Sequence, residues 1–535
     1  MVGFQMSTFL RAMRVAPRST TADLDTILFS GGVDNAGAFN GLGSPDSTSG
    51  NANVGAFNGL GNVAAASGNN NVGAFNGNYN GGANSGNFNI GAFNGNFNGN
   101  PAVIGDGTVR VFTVFGDSTG QVVSGKANGQ SLAGPDGSGG VLLSLLVGDH
   151  QQLGGTASGG NDVLTAGSSR AAGLVINTVL GDASVMADNA RGGHDILIGG
   201  RNWGNGIVEN ALIGDAAEMR GEARGGNDLL LGGNNFANGF VENALFGDAL
   251  LMSGQARGGR DDLYGGSNAG SGSVQNALFG DAAVLQAYAR GGDDNLRGGD
   301  NYGAGSVQNA IFGDAASITG FARGERDLIV GGDNRGTGFV QNALFGDSAV
   351  LSGDSRGGND DLRGGNDYRS GSVTNTVIGD AVTLSGEARG GNDHLAGGVS
   401  RHGGTVVNIL VGDAGEISGN ARAGNDVLVA GSADRSGSTV FNYLWGDAVI
   451  LGSSSRTGRD TFVFGEHIGT NNYVMDFEPT ADRIELDWDG VTSFANLSFA
   501  RHDGSTTITA RAEPDVAVTL VGFVGNLTAH DFVFT

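Results

Sequence analysis

The chain has 535 residues, 102 of them glycine and only 6 proline, with no persistent Gly-X-Y triplet, which excludes collagen. Its formal charge of −25 argues against nucleic acid or an anionic membrane surface as partner. No apolar run reaches the length of a membrane-spanning helix, and the absence of cysteine removes disulfides and thiolate chemistry.

In chain order, residues 1–30 combine Phe4, Phe9, Leu10, Met13 and Val15 with Arg11, Arg14 and Arg18. They lack the continuous apolar stretch of a cleaved secretory signal, so they are expected to form an N-terminal arm or cap. Residues 31–100 repeat Gly-Ala-Phe-Asn-Gly at an even interval that aligns Phe39, Phe57, Phe75 and Phe93. Eighteen residues at about 3.3 Å each give a perimeter of roughly 60 Å, enough for two short strands and two turns. A narrow Asn/Gly-rich β-solenoid is expected there, with residues 101–140 as adapter to a wider gauge.

Residues 141–458 are built on a 33-residue unit, V-x-N-A-L-F-G-D-A-x-x-L-x-G-x-A-R-G-G-N-D-x-L-x-G-G followed by a short Gly/Asn loop. The Gly-Asp aspartates run in register from Asp149 to Asp413, and Asp447 follows one position late. The extra residue falls in the polar stretch 432–438, as a surface loop tolerates. Within V-x-N-A-L-F, Val274, Asn276 and Leu278 share one face while Ala277 and Phe279 share the other. A second run carries Met219, Met252, Leu285, Ile318 and Leu351 in one column, and a third carries Leu197, Leu230, Leu263, Leu296 and Leu395. Helical periodicity is absent. The pattern predicts an all-β, right-handed parallel β-solenoid whose 18-residue coils widen to 33-residue coils, one coil per repeat. Two smaller coils per repeat would stack poorly, because the two aspartate columns divide the unit unequally. The column from Asn177 to Asn408 would chain its amides along the axis, each having both donors and an acceptor.

The second aspartate column comprises Asp162, Asp195, Asp228, Asp261, Asp294, Asp327, Asp360, Asp393, Asp426 and Asp460. Carboxylates stacked at about 4.8 Å repel, and two remedies are open. A hard dication with oxygen ligands is one. The other is a ladder of Arg191, Arg224, Arg257, Arg290, Arg323, Arg356, Arg389, Arg422 and Arg456, which could pair with the carboxylates and need no metal.

The Gly-Gly-Asn-Asp-x-Leu-x-Gly-Gly segments, such as Gly225–Gly233, resemble the haemolysin-type RTX calcium repeats, with the turn occurring once per 33-residue unit here. The resemblance implies Ca²⁺ as cofactor, held between coils by the second-column aspartates and backbone carbonyls. Residues 459–535 carry Arg459-Asp460-Thr461-Phe462-Val463-Phe464-Gly465, Met475-Asp476-Phe477-Glu478-Pro479, Asp482-Arg483-Ile484-Glu485-Leu486 and Asp531-Phe532-Val533-Phe534. They resemble the C-terminal cap of serralysin-type and other RTX proteins exported by type I secretion. That resemblance implies a C-terminal β cap with an uncleaved secretion signal, an extracellular or cell-surface location, and Asp476 and Asp482 as further calcium acids.

Catalysis finds little in the residues: the histidines form no column and no His-Glu-x-x-His motif occurs. The expected function is therefore a non-catalytic, calcium-binding extracellular structural protein that self-associates into a surface layer, fibre or biofilm matrix. A cell-surface adhesin, with cell-surface polysaccharide as partner, is the alternative reading, and a polysaccharide-modifying enzyme a third. The outward column Phe246, Phe279, Phe312 and Phe345, continued by Trp445, is the expected self-association surface. Such a line of large apolar residues exceeds what soluble monomers expose.

Overall fold

The computed structural model describes residues 34–44, 46–78, 80, 84–92, 109–434, 437–468, 471–511 and 515–535. The arm expected over 1–30, Phe93 and residues 101–108 lie outside the described residues. Among those described there is no α-helix, only strands and two 3-10 turns, Phe494–Asn496 and Ala529–Asp531.

Each 33-residue unit makes one coil of three strands. In one such coil they are Ser273–Phe279, Ala282–Leu285 and Asn295–Arg297. Each strand pairs in parallel with its equivalent in the next unit, Val274 with Val307, Leu285 with Ile318 and Leu296 with Ile329. The stack builds sheets of 15, 11 and 13 strands around one interior. Alternation sets what points inward. The Leu278 and Leu296 columns meet between the long-strand and three-residue-strand sheets, while the Leu285 and Ala289 columns fill the corner behind the four-residue strands.

The asparagine column is an amide ladder. Asn276 Nδ2 donates to Asn309 Oδ1 and to the Gly266 carbonyl at 2.8 and 2.9 Å. Its Oδ1 accepts from Asn243 Nδ2 and from the Gly266 N–H, both at 2.8 Å. Every polar atom of this buried amide is therefore used.

The first wide coil begins earlier than the sequence suggests. Val109–Phe115 pairs in register with Val141–Val147, so residues 109–140 form a coil of the wide solenoid. At the other end Asn472–Val474, Arg483–Leu486 and Phe532–Phe534 extend the stack in parallel. Leu497–His502, Ser505–Ala510 and Ala517–Leu520 then pair antiparallel.

The 18-residue repeats stack Ala36–Ala38, Val54–Ala56, Val72–Ala74 and Ile90–Ala92 into a separate four-stranded parallel sheet. These coils do not widen into the 33-residue stack end to end, as the repeat lengths suggested. They lie alongside it in reverse order. Ala36–Ala38 touches Ser348–Leu351, Val54–Ala56 touches Ala315–Ile318, Val72–Ala74 touches Ala282–Leu285, and Ile90–Ala92 touches Ala249–Met252. Both solenoids rise by one strand spacing per coil, about 4.8 Å, so stacks of different perimeter stay in step. Phe39, Phe57 and Phe75 stack at 4.7 and 4.8 Å between ring centroids. Phe246, Phe279, Phe312 and Phe345 stack at 4.8, 4.9 and 4.7 Å. Both sets belong to one apolar cluster.

That contact corrects the expected self-association surface. Phe246, Phe279, Phe312 and Phe345 are fully buried and Trp445 is 3% exposed. The phenylalanines do point out of the wide solenoid, but the narrow solenoid of the same chain is seated over them.

Candidate functional site

The second aspartate column sits immediately before the three-residue strands, where each backbone N–H can reach the carboxylate of the next coil. Asp195 N–H donates to Asp228 Oδ1 at 2.7 Å, and Asp261 N–H to Asp294 Oδ1 at 2.7 Å. The same bond recurs through Asp327, Asp360, Asp393 and Asp426 to Asp460, and Asp460 N–H donates to Asp482 Oδ1 at 3.1 Å. From Asp162 to Asp482 the expected ligands thus form one buried ladder. Its Oδ1 atoms are satisfied; Oδ2 of Asp162, Asp195, Asp261, Asp327 and Asp393, among others, is buried without a hydrogen-bond partner.

The Gly-Asp column, read from the sequence only as a register mark, faces this ladder. Asp182 accepts from the Gly193 N–H at 2.9 Å, and Asp281 from the Gly292 N–H at 2.8 Å. Asp149 and its equivalents through Asp413 are fully buried. Beyond those N–H groups their oxygens meet other carboxyl groups: Asp248 lies against Asp281, Asp281 against Asp314 and Asp347 against Asp380. The glycine that follows the arginine in most units has its cause here, since a Cβ at Gly225 would fall on the Asp248 carboxylate. Asp476 continues this column, accepting from the Gly446 and Asp447 N–H groups at 2.8 and 3.2 Å. The two acids singled out in the C-terminal segment therefore extend one column each.

Burial first, then repulsion from neighbouring carboxylates, drives these groups toward the protonated form. Asp162 is pushed up to about 7 and Asp460 to about 9. Burial lifts Asp447 and Asp482 to about 6. Asp261, Asp294, Asp327 and Asp476 are raised well above the usual carboxylate range for the same reasons.

The arginine column does not neutralise them. Arg191 and its equivalents through Arg456 are exposed, and among the described residues no ion pair joins them to either aspartate column. Among the described residues, the basic groups that lower a column aspartate include Arg260, acting on Asp294, Arg326, acting on Asp360, and His150, acting on Asp149, each a minor influence beside burial. Each arginine is an exposed bridge position and the aspartate four residues later is buried, so one side chain leaves the coil as the other enters it.

Two facing carboxylate columns that no ion pair among the described residues neutralises can be neutralised by shared protons or by dications. Orphaned carboxylate oxygens, with peptide carbonyls beside them, are the donor set of a hard ion such as Ca²⁺. Among the described residues no three His, Cys, Asp or Glu side chains form a ready-made cage. An ion would therefore take carboxylates from the two columns and complete its shell with backbone oxygen or water.

Two further polar ladders escaped the sequence reading. In the loops, Asn235, Asn268, Asn301 and Asn334 chain amide to amide at 2.9, 3.0 and 3.1 Å, ending on Asp367; their 33-residue spacing was a visible signal. On the outward face, Glu209 and Glu242 are paired neighbours, 1% and 3% exposed, and burial lifts Glu209 to about 8. No sequence signal marks their burial, since alternation assigns that position to solvent.

Comparison with protein-family models, with curated proteins and with solved structures finds no match.

Proposed function

We propose that the protein is a non-catalytic, calcium-loaded structural scaffold of the extracellular space or cell surface, exported by a type I route as its RTX-like C-terminal segment suggests. The observation that supports this most is the pair of aspartate columns with orphaned, buried carboxylate oxygens. A protein that folds where calcium is plentiful gains from a core that is incomplete without cations. Binding the folded state alone stabilises it by RT ln(1 + [L]/Kd) per site. Asp162 through Asp460, with Asp476 and Asp482, would hold the ions, and the Gly-Asp column would supply the facing carboxylates.

Assembly into a layer, fibre or matrix remains part of the reading, by a different surface. The narrow solenoid occupies the phenylalanine face, whereas among the described residues Val109–Phe115 and Ser131–Ala133 are terminal strands of two of the three sheets. Val111 there is 72% exposed. A terminal strand can add a further strand from another chain.

Equilibrium dialysis of the secreted protein against Ca²⁺ tests the first part: saturable binding of several ions, reduced in Asp261→Asn/Asp294→Asn/Asp327→Asn, is expected. No saturable binding would sink the calcium reading. Electron microscopy of wild type and Val111→Pro tests the second. Assemblies lost in the variant support edge pairing, and equal assembly by both proteins rejects it.

A further inference from the structure

The exposed arginine column takes no part in the aspartate ladders. Parallel backbone bridges link it coil by coil from Arg191 to Arg456, so the arginines are held in register at one strand spacing. They neither pair with the aspartates beneath nor join another ion pair among the described residues. Like charges stacked in this way repel one another.

The surroundings differ along the column. Two positions upstream of Arg224, Arg356 and Arg389 stand the exposed acids Glu222, Asp354 and Glu387, while the same position before Arg191, Arg422 and Arg456 holds Asn189, Asn420 and Ser454. In the middle the same position holds Gln255, Tyr288 and Phe321. The two rings stack at 5.2 Å and are 60% and 51% exposed. Arg260 and Arg326 add charge three positions downstream, against the acids Asp293 and Glu325. The buried aspartate columns account for most of the formal charge of −25, so the overall charge does not describe this edge.

We propose that the stretch Arg257, Arg290 and Arg323, with Tyr288 and Phe321, binds a linear acidic polysaccharide lying along the solenoid axis. A regular row of guanidinium groups suits a chain that repeats its carboxylate or sulfate groups, because each arginine offers a planar fork to an anion. The paired rings supply apolar surface for sugar C–H groups beside the charges. This inference extends the scaffold reading by naming its partner, but needs only the exposed arginine row and not bound calcium.

The test is calorimetric titration of the full chain with hyaluronate, which carries carboxylates, and dextran sulfate. Neutral dextran and single- and double-stranded DNA are the comparison ligands. Titrations are run both in EDTA at pH 5.5 and with calcium at pH 7.5, with folding verified by circular dichroism, so a failed calcium reading leaves this result interpretable. Binding to at least one acidic polysaccharide and not to dextran is expected, and which one binds separates carboxylate from sulfate recognition. Arg257→Gln/Arg290→Gln/Arg323→Gln should weaken binding at least tenfold and flatten the plot of log K against log salt by about two to three. Tyr288→Ala should weaken it severalfold at unchanged salt slope. Arg170→Gln/Arg201→Gln/Arg369→Gln, on the loop edge, should leave it unchanged. Absence of binding to both polysaccharides, equal binding by both triple variants, or tighter binding to DNA would overturn the proposal.

Discussion

The interior of one coil holds two polar ladders built on the same geometry and opposite chemistry. Asn276 both gives and takes hydrogen bonds, and its neighbours above and below complete it. Asp261 has the same shape with an oxygen where asparagine has its NH₂. It accepts the Asp228 N–H at 2.7 Å, and its other oxygen is left without a donor. One ladder closes on itself; the other needs protons or cations from outside. The difference shows how a repeat protein can place a dependence on its surroundings beside a self-sufficient core.

Exchanging the two chemistries should cost the most stability. Asn276→Asp puts a carboxylate among amides and removes the donors to Gly266 and Asn309, at a cost of about 3–5 kcal/mol. Urea unfolding should show that loss with and without calcium, since no facing carboxylate column stands there. Full rescue by calcium would break the distinction.

A change on the outer face should leave the comparison untouched. Phe312→Ala opens the seam between the two solenoids and should cost about 3 kcal/mol, with the calcium increment unchanged. Its product should also bind an apolar dye and associate, as a newly exposed phenylalanine face would. A variant that remains monomeric and dye-free would show that the narrow solenoid is not what covers this face.

The pH dependence follows from the raised carboxyls. An aspartate whose folded value lies above its unfolded one, near 3.9, contributes stability below that value and loses it as pH rises through the folded one. Metal-free protein should therefore weaken from about pH 4 upward, through about 6 for Asp447 and Asp482, 7 for Asp162 and 9 for Asp460. Each group contributes a slope of up to about 1.4 kcal/mol per pH unit while it titrates. With calcium the trend should reverse in mild acid, where protons displace the ion. Urea midpoints measured from pH 4 to 9 read both branches.

The smallest change is the most selective. Asp261→Asn/Asp294→Asn replaces two orphaned oxygens by donors. It should stabilise the metal-free protein by about 1–2 kcal/mol at pH 8 while shrinking the calcium increment. Destabilisation in EDTA would mean that the carboxyl protons there hold the fold better than amides do.

Much of this architecture was legible from spacing alone. Strict 33-residue recurrence of Asp149 and Asp162 places each in a column, and the Val274–Asn276–Leu278 alternation identifies the inward face and the amide ladder. The facing of the two aspartate columns was not legible, because it depends on the corner between sheets rather than on any periodicity along the chain. The side on which the arginine column emerges was hidden by the same corner. The phenylalanine column read correctly as outward, yet its cover comes from coils remote in sequence, such as Ala36–Ala38 against Ser348–Leu351. Matching of the two gauges by their shared rise is a property of stacked strands, not of either repeat.

Differential scanning calorimetry of the full chain at pH 7.5, in EDTA and in millimolar Ca²⁺, reads whether the aspartate columns depend on cations. The paired aspartate columns predict a transition that moves up by more than ten degrees with calcium, and an EDTA sample that regains part of that shift when acidified to pH 5. Coincident transitions in EDTA and calcium at both pH values would contradict it.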